Sequence, residues 1–133
     1  MTNFTKPPVQ VVDITTHRDE RGTLTAIEKA VGLIPFDPVR TFFIADVPAG
    51  ASRANHAVNC ELFIMALVGG AVLTEFNGVN QQSWSMTLDQ GLLIPPFRYI
   101  VVSDVQPGTI LAVFASKNFA DTTYYTQAEA ELL

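Results

Sequence analysis

Turn residues recur about every ten positions along this chain, and the stretches between them are short and rich in β-branched and aromatic side chains. That cadence leaves no room for a helix bundle, or for the long crossover helices of a parallel sheet. Residues 9–14 read as a first strand, and residues 24–28 alternate apolar with polar. Residues 40–45, 61–68, 71–76, 84–88, 92–94, 99–103 and 110–115 read as further strands. Pro48-Ala49-Gly50, Gly69-Gly70, Asn77-Gly78, Pro95-Pro96 and Gln106-Pro107-Gly108 punctuate them, and Asn77-Gly78 is a strong hairpin signal. Residues 17–22 read as a polar turn, and 33–38, with Pro35 and Pro38, as loop. Only residues 127–133 look helical. Nine to eleven short strands closed by one short helix predict a single all-β domain over residues 1–133, built as a sandwich or barrel.

Composition narrows what such a domain could do. Of the 133 residues 48% are hydrophobic and 16% charged, which suits a packed core and not a disordered chain. The net charge is −5, whereas a nucleic-acid binder gathers an excess of Lys and Arg. Five of the eight basic residues are arginines, Arg18, Arg21, Arg40, Arg53 and Arg98, scattered along the chain. In an acidic protein they suit recognition of a small anionic ligand, because a guanidinium binds phosphate in a fork. Cys60 is the only cysteine, so no internal disulfide can form and a reducing, cytoplasmic setting is expected. The first residues have no apolar run, so no signal peptide is expected, and no stretch nears the roughly 18–20 apolar residues of a membrane span.

The segment from Gly50 through Arg53, His56 and Val58 to Glu61, closed by Gly69-Gly70, resembles the first cupin motif. In that motif a glycine is followed by His-x-His and a Glu. Metal-binding cupins use both histidines, the Glu and a later histidine. Here Val58 takes the second place and Ile100 the later one, leaving His56 and Glu61. Two ligands fall short of the three protein ligands usual for catalytic zinc or iron, so neither metal nor cofactor is expected.

The resemblance narrows further. Arg21-Gly22, Leu24, Ala26-Ile27-Glu28, Ile34-Pro35-Phe36, Arg40, Phe42-Phe43-Ile44, Arg53, His56-Ala57, Ile94-Pro95-Pro96, Ala115-Ser116 and Tyr124-Tyr125 follow the order and spacing of one family. The chain resembles the sugar 3,4-ketoisomerases, cupins acting on dTDP-4-keto-6-deoxyglucose in deoxysugar biosynthesis. The resemblance implies a jelly-roll homodimer, no metal, a dTDP-sugar in the barrel mouth and acid–base chemistry by histidine. The family pattern reads Arg-Gly-x-His-Ala-His where this chain has Arg53-Ala54-Asn55-His56-Ala57-Val58, so only the first histidine carries over.

Such an isomerase moves a carbonyl from C4 to C3 of the sugar through an enediol. Histidine suits the work because its pKa lies near the working pH, so one ring can take and return a proton. His56 is the expected base, with Arg53 beside it to stabilise enediolate charge and Tyr99 as a possible acid partner. Arg53, Arg98 and Arg21 are the expected diphosphate contacts, and Glu61 is counted with them at the substrate site as a buried or rim carboxylate paired with Arg53 or a backbone N–H. Two readings compete with the isomerase: a catalytically silent sugar-nucleotide binder, favoured by the loss of the second histidine, and an epimerase of a related keto-sugar nucleotide.

Overall fold

The computed structural model describes residues 7–28 and 34–133, and among them are twelve strands and one α-helix. In chain order the strands are β1 (Gln10–Asp13), β2 (Thr15–Asp19), β3 (Gly22–Ala26), β4 (Arg40–Ile44), β5 (Arg53–Val58) and β6 (Leu62–Val68). There follow β7 (Ala71–Phe76), β8 (Gln81–Met86), β9 (Gln90–Ile94), β10 (Tyr99–Ser103), β11 (Ile110–Ala115) and β12 (Tyr124–Tyr125). A 3-10 turn at Phe119–Asp121 precedes β12, and the helix α1 (Gln127–Glu131) ends the chain.

One five-stranded sheet runs β1-β9-β6-β11-β4, a second runs β12-β5-β10-β7-β8, and β2 with β3 makes a separate hairpin. All the pairings are antiparallel. The core lies between the two large sheets. Leu62, Ile64, Leu92, Ile94, Leu111 and Val113 of the first meet Val58, Leu73, Ile100 and Val102 of the second. The intervening residues Phe63, Met65 and Ala112 point the other way and pack beneath Ile14, Ile34 and Phe36. A strand buried on both faces must be apolar throughout, which is why residues 62–66 lack polar alternation. Gly91, paired between β1 and β6, leaves room for that second layer: a Cβ there would stand 2.2 Å from the Phe63 ring.

The strands expected at 71–76, 99–103 and 110–115 form with those limits. The structure departs from the expected elements at several points. Residues 17–22 are not a single turn: β2 continues to Asp19 and the chain reverses at Glu20-Arg21. The Asp19 carboxylate holds that reversal by accepting the Arg21 backbone N–H at 2.8 Å and its guanidinium at 2.7 Å. The segment between Gly50 and Glu61 is largely strand, and β12 forms where no strand was expected. The helix stops at Glu131, two residues short of the expected end, and starts with a capping box between Thr126 and Glu129. Residue 33 lies outside the described residues, while 34–39 carry neither helix nor strand, as expected of a loop. Among the described residues no helix is long and apolar enough to cross a membrane.

Candidate functional site

Residues three apart on a regular strand face opposite sides of the sheet. Arg53 and His56 nevertheless face the same cavity, and a bulge is the reason. Along β5 and β10, Ile100 stands opposite His56, Val101 opposite Ala54 and Val102 opposite Arg53, so Asn55 is an extra, unmatched residue. Directly opposed residues share a face, so Ile100 and His56 point inward with Val102 and Arg53. The bulge has left-handed backbone at Ala54 (φ 68°) and Asn55 (φ 56°). Asn tolerates this conformation, and the Asn55 amide nitrogen donates to Ser52 Oγ at 3.1 Å. Ala54 has no such compensation, and it stands where the family pattern has glycine. Ala54→Gly should therefore raise stability by about 0.5–1 kcal/mol: lost left-handed strain exceeds the added chain entropy of glycine. Chemical denaturation checks this, and a lower midpoint would contradict it.

The cavity is about 70 Å³, room for one edge of a sugar rather than a whole hexose. Phe42, Ile44, Leu62, Ile64, Ile94, Ile100, Val102 and Val113 form its apolar wall, and Arg53 and His56 are its polar side chains. A ligand carbonyl or hydroxyl entering it would leave water and meet those two groups.

His56 is half-buried, and its Nδ1 is sealed from water with no hydrogen-bond partner among the described residues. The Tyr124 ring meets it edge-on, centroids 5.2 Å apart and planes at 73°. Burial pushes the imidazole pKa below its ordinary value; its own backbone carbonyl opposes this, and the positive charge of Arg53 adds to the lowering. The neutral ring is thus favoured at neutral pH, the form a base requires.

The other residues expected at the site lie elsewhere. Tyr99 is on the opposite face of β10 from Ile100 and packs edge-on against Phe76, centroids 6.1 Å apart. Arg98 lines a different cavity with Glu75, Asn77, Gln82 and Glu131. There it is ion-paired to Glu75 at 2.5 Å and donates to the Pro7 carbonyl. Arg21 sits exposed at the β2–β3 reversal against Asp19. Glu61 joins β5 to β6, its N–H donating to Ser116 Oγ at 2.9 Å and its carbonyl accepting the Ser116 N–H at 3.0 Å. The expected set thus reduces, at this cavity, to His56 and Arg53. Tyr124, against His56, was not singled out for chemistry by the sequence. Among the described residues no three His, Cys, Asp or Glu side chains gather as a metal site would need.

Two facing antiparallel sheets with a histidine turned into the space between them define a jelly roll of the cupin kind. Residues 7–131 match the family described as FdtA: WxcM-like, C-terminal, and the chain belongs to that family. No curated protein sequence matches it. Among solved structures it is similar to a 3,4-ketoisomerase from Helicobacter canadensis, at 23% identity and TM-score 0.82, covering 93% of this chain and 95% of that one. The WlaRB TDP-quinovose 3,4-ketoisomerase from Campylobacter jejuni superimposes with TM-score 0.84 at 23% identity, over 94% and 98% of the two chains. The QdtA sugar 3,4-ketoisomerase from Thermoanaerobacterium thermosaccharolyticum, solved in complex with TDP, does so with TM-score 0.80 at 24% identity, over 86% of each. What these likenesses establish is the shared jelly roll.

Proposed function

We propose that the protein isomerises a nucleotide-linked 4-keto-6-deoxy sugar to its 3-keto isomer, with His56 as acid and base. The observation that carries this reading is the bulge in β5, which turns Arg53 and His56 together into an otherwise apolar cavity. Family membership and relatives described as 3,4-ketoisomerases support it.

Neutral His56 takes the proton from C3 while the C4 carbonyl oxygen takes one from water, giving the enediol. The imidazolium then delivers its proton to C4 as the C3 hydroxyl returns one to water, so the carbonyl stands at C3 and His56 is neutral again. Atoms balance and no oxidant is needed. One imidazole can serve both carbon centres if the proton returns on the face it left, which fits a site holding a single histidine. Arg53, exposed at the cavity rim, holds negative charge: the enediolate oxygen in the reaction, and the diphosphate on binding.

Incubation with dTDP-4-keto-6-deoxyglucose should yield a 3-keto product detectable by NMR. Arg53→Ala should weaken dTDP binding by about ten- to a hundredfold, the loss of one charge-assisted contact. Unchanged dTDP affinity in calorimetry would remove Arg53 from the site, and binding without turnover would leave a silent binder.

The proposal includes a homodimer. β1 is the edge of its sheet, paired only with β9 among the described residues, and it leaves Val11 exposed. An unpaired edge invites a second strand; a single-subunit mass in light scattering at micromolar concentration would count against it.

A further inference from the structure

Resting on His56 as the acid–base group, we infer that Tyr124 is a positioning residue whose ring fixes the plane of the His56 imidazole. Working histidines are ordinarily aimed by a hydrogen bond from one ring nitrogen to a carboxylate or carbonyl. His56 has none at Nδ1 among the described residues, and that atom is sealed from water. The carbonyl of His56 itself acts on the ring without completing a hydrogen bond at Nδ1, so packing has to fix the plane, and the edge-on contact with Tyr124 at 5.2 Å supplies it.

Tyr124 is itself firmly placed. Its strand β12 pairs with β5, putting Tyr124 opposite Val58, two residues from His56 on the same strand. Asn59 clamps the approach to β12: its side chain donates to the Asp121 carbonyl at 3.3 Å and accepts the Thr123 N–H at 2.9 Å, while its own N–H donates to the Thr123 carbonyl at 3.3 Å. Phe119 lies 6.3 Å from Tyr124. Below Phe119 sits the Arg40 guanidinium, 5.7 Å from that ring and 4.9 Å from Phe42, which lines the cavity. The contacts thus run unbroken from one cavity wall, through Phe42, Arg40, Phe119 and Tyr124, to the base.

Exposure argues the same way. Phe119 and Tyr124 are 67% and 46% exposed, so neither is there chiefly to fill the core. Around His56 the groups are Arg53 on its own strand, Ile100 opposite on β10 and Tyr124 on β12, so Arg53 is the fixed charge facing it and Tyr124 the removable cover.

The test uses Tyr124→Phe and Tyr124→Leu, with His56 followed by NMR titration in a His17→Asn background that leaves one histidine signal. Tyr124→Phe keeps the ring and should leave both the His56 midpoint and kcat within about twofold. Tyr124→Leu removes it. The midpoint should then rise toward the ordinary value of about 6.5, the acid limb of kcat should move up with it, and kcat should fall about tenfold with little change in KM. An unchanged midpoint and kcat in Tyr124→Leu would overturn the inference. So would equal losses in the two variants, which would assign the work to the hydroxyl. If the parent turns over no keto-sugar, the reading of the reaction fails, while the titration still decides whether Tyr124 holds the ring.

Discussion

His56→Asn should lower turnover of the keto-sugar nucleotide by about 10²–10⁴-fold, because asparagine can fill the space and hydrogen-bond but cannot carry a proton in and out. The effect should be large because, among the described residues, no second histidine lines this cavity. His17→Asn should change little, since His17 is exposed on β2 opposite Leu24 in the separate hairpin. Binding of dTDP should survive in both variants. The pH dependence follows from the same group. A base works when neutral, so the rate falls as pH drops through its pKa. Burial and Arg53 hold that pKa below the ordinary value, so the half-fall should come below about pH 6.5. Steady-state rates from pH 4.5 to 8 measure this. Wild-type turnover in His56→Asn, or an acid limb above 6.5, would mean that another group does the work.

Arg98→Ala should destabilise the fold by about 3–5 kcal/mol, the largest stability effect expected of a single replacement here. The Arg98–Glu75 pair is short, at 2.5 Å, and the two side chains are only 9% and 7% exposed. Removing the guanidinium leaves the Glu75 carboxylate buried without that partner and also frees the Pro7 carbonyl. Most of the cost is stranded charge, not lost attraction. Replacing both residues, as Arg98→Met with Glu75→Leu, should therefore recover most of the stability. Denaturation midpoints of the two single variants and the double variant separate these terms. Under conditions where Arg98→Ala remains folded, it should bind dTDP as the parent does, because Arg98 does not line the cavity that holds His56. Full stability with weakened dTDP binding would restore Arg98 to the ligand site, the role the sequence suggested.

That contrast shows where the sequence stopped being readable. Strands β7, β10 and β11 were plain because apolar side chains mark them, inward-facing against the common core. Strand β5 was hidden by its own bulge: one extra residue at Asn55 breaks the period of two that identifies a strand. Strand β2 (TTHRD) has no buried face, so nothing in its pattern separates it from a turn. His56 and Arg53 were legible from their places in the cupin motif. Tyr99 illustrates the limit of adjacency. Once Ile100 is placed at the inward position, its neighbour along the strand must face outward, and Tyr99 does. Tyr124 was marked only as part of the family pattern, and nothing local pointed to its contact with His56. It stands 68 positions after His56 and reaches it only because β12 pairs with β5. Arg98 and Glu75, 23 residues apart, meet across the same sheet, where Glu75 pairs with Ile100, and no spacing rule would join them.

The most direct measurement of His56 acid–base chemistry is NMR of dTDP-4-keto-6-deoxyglucose incubated with the protein in D₂O. A base that takes the C3 proton and delivers solvent-exchanged hydrogen to C4 should place deuterium at C4 of the 3-keto product, and His56→Asn should abolish that incorporation. If the wild-type protein binds dTDP yet neither position acquires deuterium and no 3-keto product forms, the isomerase assignment is wrong and the domain is a sugar-nucleotide binder.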